Sequence, residues 1–133
     1  MSPSRSAVVF MLAALLAATS AQAASHGNDL VHARKLNGSV FMMNQSHMTL
    51  YTYGRDDAFT STCTGTCAEI WPPALLPAGS VLGENYTLFA RPDGDMQIAY
   101  KGRPLYLYSG DARIGDVNGD GIDGVWNISR PIE

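Results

Sequence analysis

Two short stretches of this 133-residue chain carry residue types able to do chemistry. The first is Cys63 and Cys67 in "CTGTC", the only two cysteines. A C-x₃-C pair can close a disulfide, exchange one, or hold Cu(I), for which Met42, Met43, His47 and Met48 would be soft or borderline donors upstream. The second is "DVNGDGIDG", Asp116 to Gly124. Asp116, Asn118 and Asp120 stand at positions 1, 3 and 5 of a Ca²⁺ loop, Gly121 at the sharp turn, and Ile122 at the position that offers a backbone carbonyl. Position 12 would be Asn127, not the bidentate Glu of a strong site, so this pattern predicts Ca²⁺ binding in the extracellular millimolar range. The competing reading is a Gly/Asp/Asn turn whose side chains bond their own backbone.

Catalytic signatures are absent from the sequence: it holds no G-x-S-x-G, H-E-x-x-H or C-x-x-C, and His26, His32 and His47 are spread over its N-terminal part. No catalytic residue is assigned, and no cofactor beyond Ca²⁺, with copper as the alternative.

Elements must position these groups. Arg5 precedes the apolar run Ala7 to Ala18, and "AQA" at 21–23 has the small-x-small pattern of a cleavage site, so residues 1–23 read as a secretory signal. That run is shorter than the roughly 20 residues a membrane helix needs, and no transmembrane segment is predicted. No Cys lies near the cleavage site to accept a lipid. Loss of Arg5 leaves 8 Lys+Arg against 12 Asp+Glu, a net charge of −4. That balance excludes nucleic acid as a partner class. Four Asn-x-Ser/Thr sequons, at Asn37, Asn44, Asn85 and Asn127, would carry glycans only in a eukaryotic host.

Export to the periplasm or medium places the cysteines where an even count pairs. Residues i and i+4 are about 13 Å apart on a strand and about 6 Å apart across a helical turn, so a Cys63–Cys67 disulfide requires a turn. Residues 24–36 are polar and aperiodic, read as a flexible arm or one weak edge strand. Beyond them "SVFMM", "MTLYTY", "YTLFA", "DMQIAY", "PLYLY" and "GVWNIS" are short β-type runs between turn residues, with "CAEIW" the best single helical turn.

"LYTYGRD" at 50–56 recurs as "LYLYSGD" at 105–111, and Trp71 and Trp126 lie 20 residues after Tyr51 and Tyr106. Both pairs are offset by 55, a coincidence expected about once in a hundred for the chain's two tryptophans, so the repeat is an internal duplication. Residues 37–133 are therefore read as one all-β domain, sandwich or barrel-like, of two antiparallel units over about 38–77 and 93–131. Leu50 and Thr52 face away from Tyr51 and Tyr53, and Leu105 and Leu107 from Tyr106 and Tyr108, which marks these strands as central. Asp56 and Asp111 fall where each strand enters its turn, positions suited to capping backbone N–H groups.

"MTLYTYGRD", "CTGTCAEIWPP", "YKGRPLYLYSGD" and "GDVNGDGIDGVW" together resemble the bacterial secreted-repeat proteins of unknown function, often lipoproteins, with a Tyr-x-(Phe/Trp/Tyr)-x-x-Asp motif. The resemblance spans Leu36 to Ile128 and implies an exported protein of tandem units, with no reaction to carry over. Asp120 and Asp123 depart toward acidity. The function expected is a non-enzymatic, monomeric envelope module binding a small ligand or an envelope protein. Its rival is a small redox or copper-handling protein using Cys63 and Cys67.

Overall fold

A computed structural model describes residues 30–132. The signal segment 1–23 and the first part of the expected arm lie outside the described residues. Seven strands form in chain order: β1 (Val31–Leu36), β2 (Ser39–Asn44), β3 (Tyr51–Tyr53), β4 (Tyr86–Ala90), β5 (Met96–Tyr100), β6 (Arg103–Tyr106) and β7 (Trp126–Ile128). One helical turn, α1 (Thr66–Ile70), follows the first cysteine, and a 3-10 turn covers Ile122–Gly124. β1 and β2 make a hairpin, and the other strands form an antiparallel sheet in the order β4-β5-β6-β3-β7. The architecture is sandwich-like.

The arm expected over 24–36 is in part a strand. Val31 to Leu36 pair residue for residue with Asn44 to Ser39, across Asn37-Gly38 with φ of 49° and 83°. Both positive angles are what a tight two-residue hairpin turn requires, and Asn-Gly supplies them cheaply. β1 has only one fully buried residue, Val31, so its hydropathy carries little periodic signal.

β1 also shows that the duplicated unit is longer than the motif suggests. Val31 corresponds to Tyr86 at the same offset of 55, and each begins the outer strand of a hairpin, β1-β2 or β4-β5. Tyr51 pairs directly with Tyr106 across β3 and β6, so an approximate two-fold axis passes between the two copies of the motif.

Each unit then lends its last segment to the other. In β7, Ile128 pairs with Tyr51; in the first unit Pro73, 55 residues earlier, bridges Tyr106. Pro72 and Pro73 have no N–H to donate, so this contact is a single bridge where β7 is a strand. Beyond these pairs the third strand and the preceding hairpin arm diverge, and a small residue of the opposite unit fills the gap. Ala74 donates to Leu105 O at 2.9 Å and accepts from Ile98 N at 2.8 Å; Ser129 donates to Leu50 O and to Met42's strand offers its carbonyl, both at 2.8 Å. Ala74 and Ser129 are again 55 apart.

The faces of the central strands carry two cores. Tyr51, Tyr106, Trp71, Trp126, Phe41, Met43, Cys63 and Ile128 pack on one side. Val31, Met42, Leu50, Ala74, Ile98, Tyr100 and Leu105 pack on the other. Alternation along β3 and β6 therefore does sort large side chains to opposite faces, both buried.

Candidate functional site

The motif residues converge at the two-fold axis. Tyr51 Oη donates to Asp111 Oδ2 at 2.6 Å, and Tyr106 Oη donates to Asp56 Oδ2 at 2.5 Å. Each tyrosine thus reaches the aspartate of the other unit. The second oxygen of each carboxylate caps the loop that follows. Asp56 Oδ1 accepts from Thr62 N and Oγ1, both at 2.8 Å, and Asp111 Oδ1 accepts from Asn118 N at 2.9 Å. Burial, reinforced by the hydrogen bond to Asp111, raises the pKa of the Tyr51 hydroxyl far above its ordinary value. Burial and Asp56 do the same for Tyr106. Both phenols are held neutral, as donors.

Around these pairs the other aromatics form one stack. Trp71 and Trp126 lie face to face with ring centres 3.8 Å apart. Tyr53 covers the outer face of Trp126 at 4.2 Å and Tyr108 that of Trp71 at 4.3 Å, while Tyr51 and Tyr106 meet the tryptophans edge-on. Every stacking contact again crosses between units. Gly119 lies flat on this stack, since a Cβ there would sit 2.7 Å from Trp71 Cη2 and 3.0 Å from Tyr108 Cγ.

The disulfide Cys63–Cys67 is formed, with Cα atoms 5.2 Å apart across the start of α1, and Cys63 is buried. Its loop is tied to a polar core that sequence reasoning missed. Arg91, 5% exposed, donates from Nη2 to Cys63 O at 2.9 Å and from Nη1 to Ser61 Oγ and Gln97 Oε1 at 2.6 and 2.8 Å. Gln97 donates to Leu105 O, and Ser61 hydrogen-bonds Tyr106. The only available signal was Arg91 itself, one charge directly after an apolar strand. The Met residues suggested as copper donors are dispersed, with Met42 and Met43 buried in opposite cores. The cysteines have no free thiol among the described residues.

In the Asp-rich loop Asp116 Oδ2 accepts from the N–H groups of Ala112 and Arg113 at 2.9 and 3.0 Å. Asp120 Oδ1 accepts from Ile128 N at 3.0 Å. Asn118 Nδ2 reaches Gly110 O at 3.4 Å, and Ile122 enters the 3-10 turn. Among the described residues no three His, Cys, Asp or Glu side chains gather as a metal site.

An open cleft of about 550 Å³ lies beside this cluster, with Thr52, Tyr53, Asp57, Lys101, Arg103 and Asn127 in its walls. A second of about 430 Å³ shares Thr52, Arg103 and Asn127 and adds Arg130 and Asp120. The side chains of these three shared residues make no hydrogen bond among the described residues, whereas Tyr51, Tyr106, Asp56 and Asp111 are all engaged.

The match to known families follows this symmetry. A family model described as a secreted repeat of unknown function matches twice, over residues 37–75 and 87–129. The chain belongs to that family. The two matched stretches lie within the two interlocked units, and export agrees with the family's description. No curated protein and no solved structure matches the chain. No helix among the described residues is long and apolar enough to cross a membrane.

Proposed function

We propose that this secreted-repeat protein is a non-enzymatic binding module of the cell envelope, and that its ligand or partner segment lies in the joined clefts over Thr52, Arg103 and Asn127. What supports the reading is the division of labour among polar groups. Tyr51, Tyr106, Asp56 and Asp111 are consumed in holding the units together, which leaves them no proton to move and no free lone pair aimed at a substrate. Arg103 and Asn127, in contrast, present unused donors and an acceptor beside Lys101 and Arg130. Such a surface suits a polar, acceptor-rich chain such as a glycan or an extended peptide.

Titration of the ¹⁵N-labelled protein with soluble cell-wall glycan fragments tests this, with an acidic oligopeptide as the second probe. Saturable shifts centred on Thr52, Arg103 and Asn127, lost in an Arg103→Ala/Asn127→Ala variant, are expected. Shifts confined to another face would refute the assignment.

Within this proposal the Asp116–Gly124 loop is a hydrogen-bonded turn, supported by the backbone N–H groups that its carboxylates already accept. A melting temperature equal in millimolar Ca²⁺ and in chelator is expected, and a rise in Ca²⁺ of several degrees would restore the cation reading. The redox or copper alternative has no comparable support, since Cys63 is buried and disulfide-bonded.

A further inference from the structure

Outside the cleft, two imidazoles meet. His32 stands on β1 and His47 on the turn between β2 and β3, with Nε2 of His32 3.2 Å from Nδ1 of His47. The turn is shaped to bring His47 there. Its φ is 60°, a left-handed conformation uncommon outside glycine though His, like Asn and Asp, adopts it more readily than most. Asn44 holds the turn in place. Its Oδ1 accepts from the N–H groups of Ser46 and Met48, each at 3.0 Å, and its carbonyl accepts from His47 N at 2.9 Å. The hairpin register, His32 opposite Met43 and Val31 opposite Asn44, fixes the other ring beside the same turn.

The pair has the geometry of two ligands on one ion. The ring centres are 5.1 Å apart and the planes are inclined by 77°. A tetrahedral ion with metal–nitrogen bonds of about 2.0 Å would set two imidazole nitrogens about 3.3 Å apart and their ring centres about 5.2 Å apart. A straight N–H···N bond of the observed length would instead place the ring centres at about 5.5 Å. At this separation one ring can donate to the other through a bent hydrogen bond, and the same spacing lets both nitrogens turn their lone pairs to one ion.

We propose that His32 and His47 form a two-imidazole site for a borderline divalent metal ion of the Zn²⁺ class. Imidazole is a good donor to such ions, and both rings are half-buried at the surface, open to exchange. No third His, Cys, Asp or Glu joins them among the described residues, so the remaining coordination positions fall to water or to a donor from another molecule. One group opposes the ion. Arg34 Nη1 lies 3.4 Å from the same Nδ1 of His47, and its exposed side chain must swing aside when metal enters.

Calorimetric titration of the tag-free mature protein with Zn²⁺, paired with Co²⁺ titration read by visible absorption, tests the proposal. One ion per chain is expected, with affinity reduced at least about tenfold by His32→Ala or by His47→Ala. Arg34→Gln should raise affinity severalfold by removing the like charge. Far-ultraviolet circular dichroism of each variant controls for folding. Zn²⁺ binding that survives both histidine substitutions unchanged, or no saturable binding by the folded parent, overturns the site; either result leaves the cleft proposal standing on its own test.

Discussion

At the scale of single residues, the two Tyr–Asp pairs make the motif a device for joining units. Replacing Tyr51 by Phe leaves Asp111 Oδ2 without its donor, and a cost of about 1–3 kcal/mol in urea unfolding is expected. In a double-mutant cycle, Tyr51→Phe and Asp111→Asn should couple by about 0.5–3 kcal/mol, whereas Tyr51→Phe and Asp56→Asn should be nearly additive. Strict additivity in the first cycle would mean the cross-unit bond contributes nothing. The same pairs set an alkaline limit. The folded protein keeps Tyr51 and Tyr106 protonated above the pH near 10 where free tyrosine ionises. The stabilisation is therefore fully present below that pH and falls as the pH rises through and beyond it. Absorbance at the phenolate band should show these two hydroxyls ionising only as the protein unfolds, and Tyr106→Phe should flatten the decline of stability with pH. Gly119→Ala should destabilise by about 1–3 kcal/mol, because its methyl group would enter the ring of Trp71.

At the scale of elements, the units differ in how they fill one place. Leu36 in the first unit corresponds to Arg91 in the second at the offset of 55; Leu36 packs on the aromatic core while Arg91 is buried with Gln97 and Ser61. Removing the guanidinium while keeping much of the volume, as in Arg91→Met, leaves Gln97 Oε1 and Cys63 O without their donors, and a loss of about 1–3 kcal/mol for each is expected in chemical denaturation. The double variant Arg91→Leu/Gln97→Leu should recover part of it, since no unpaired acceptor is then left on Gln97. A double variant no more stable than the single one would show that shape, not pairing, governs the site. The disulfide closes a very short loop, for which chain entropy gives about 2 kcal/mol. Cys63→Ser/Cys67→Ser should therefore lower the melting temperature by several degrees without abolishing the fold.

At the scale of the whole molecule, each unit closes a hairpin of its own but completes its core only with the other. The Trp stack, both Tyr–Asp bonds and the insertions of Ala74 and Ser129 all run between units. Residues 24–80 and 81–133 expressed separately should each give poorly dispersed amide spectra, and mixing them should restore the dispersion of the intact chain. A well-dispersed spectrum from either half alone would contradict interlocking. Much of this was legible in the sequence. Tyr51, Tyr106, Trp71 and Trp126 share one offset, alternation marked β3 and β6 as central, and Cys63 and Cys67 could pair only across a turn, because these are local or periodic properties of the chain. β1 was legible only as one of two alternatives, an arm or a weak edge strand, because a strand with one buried residue has no hydropathy period. The partners of Tyr51 and Tyr106 were hidden because a repeat in sequence cannot say whether each copy bonds within itself or with its twin. Arg91 reaching the carbonyl of Cys63 and His32 meeting His47 join residues well separated in the chain, through turns and loop packing that no local sequence signal specifies. The sequence by itself determined a duplicated, exported β domain with one disulfide; only the tertiary structure decided that the copies exchange strands and hydrogen bonds, because pairing across a two-fold axis is a property of the assembled sheet and not of either repeat.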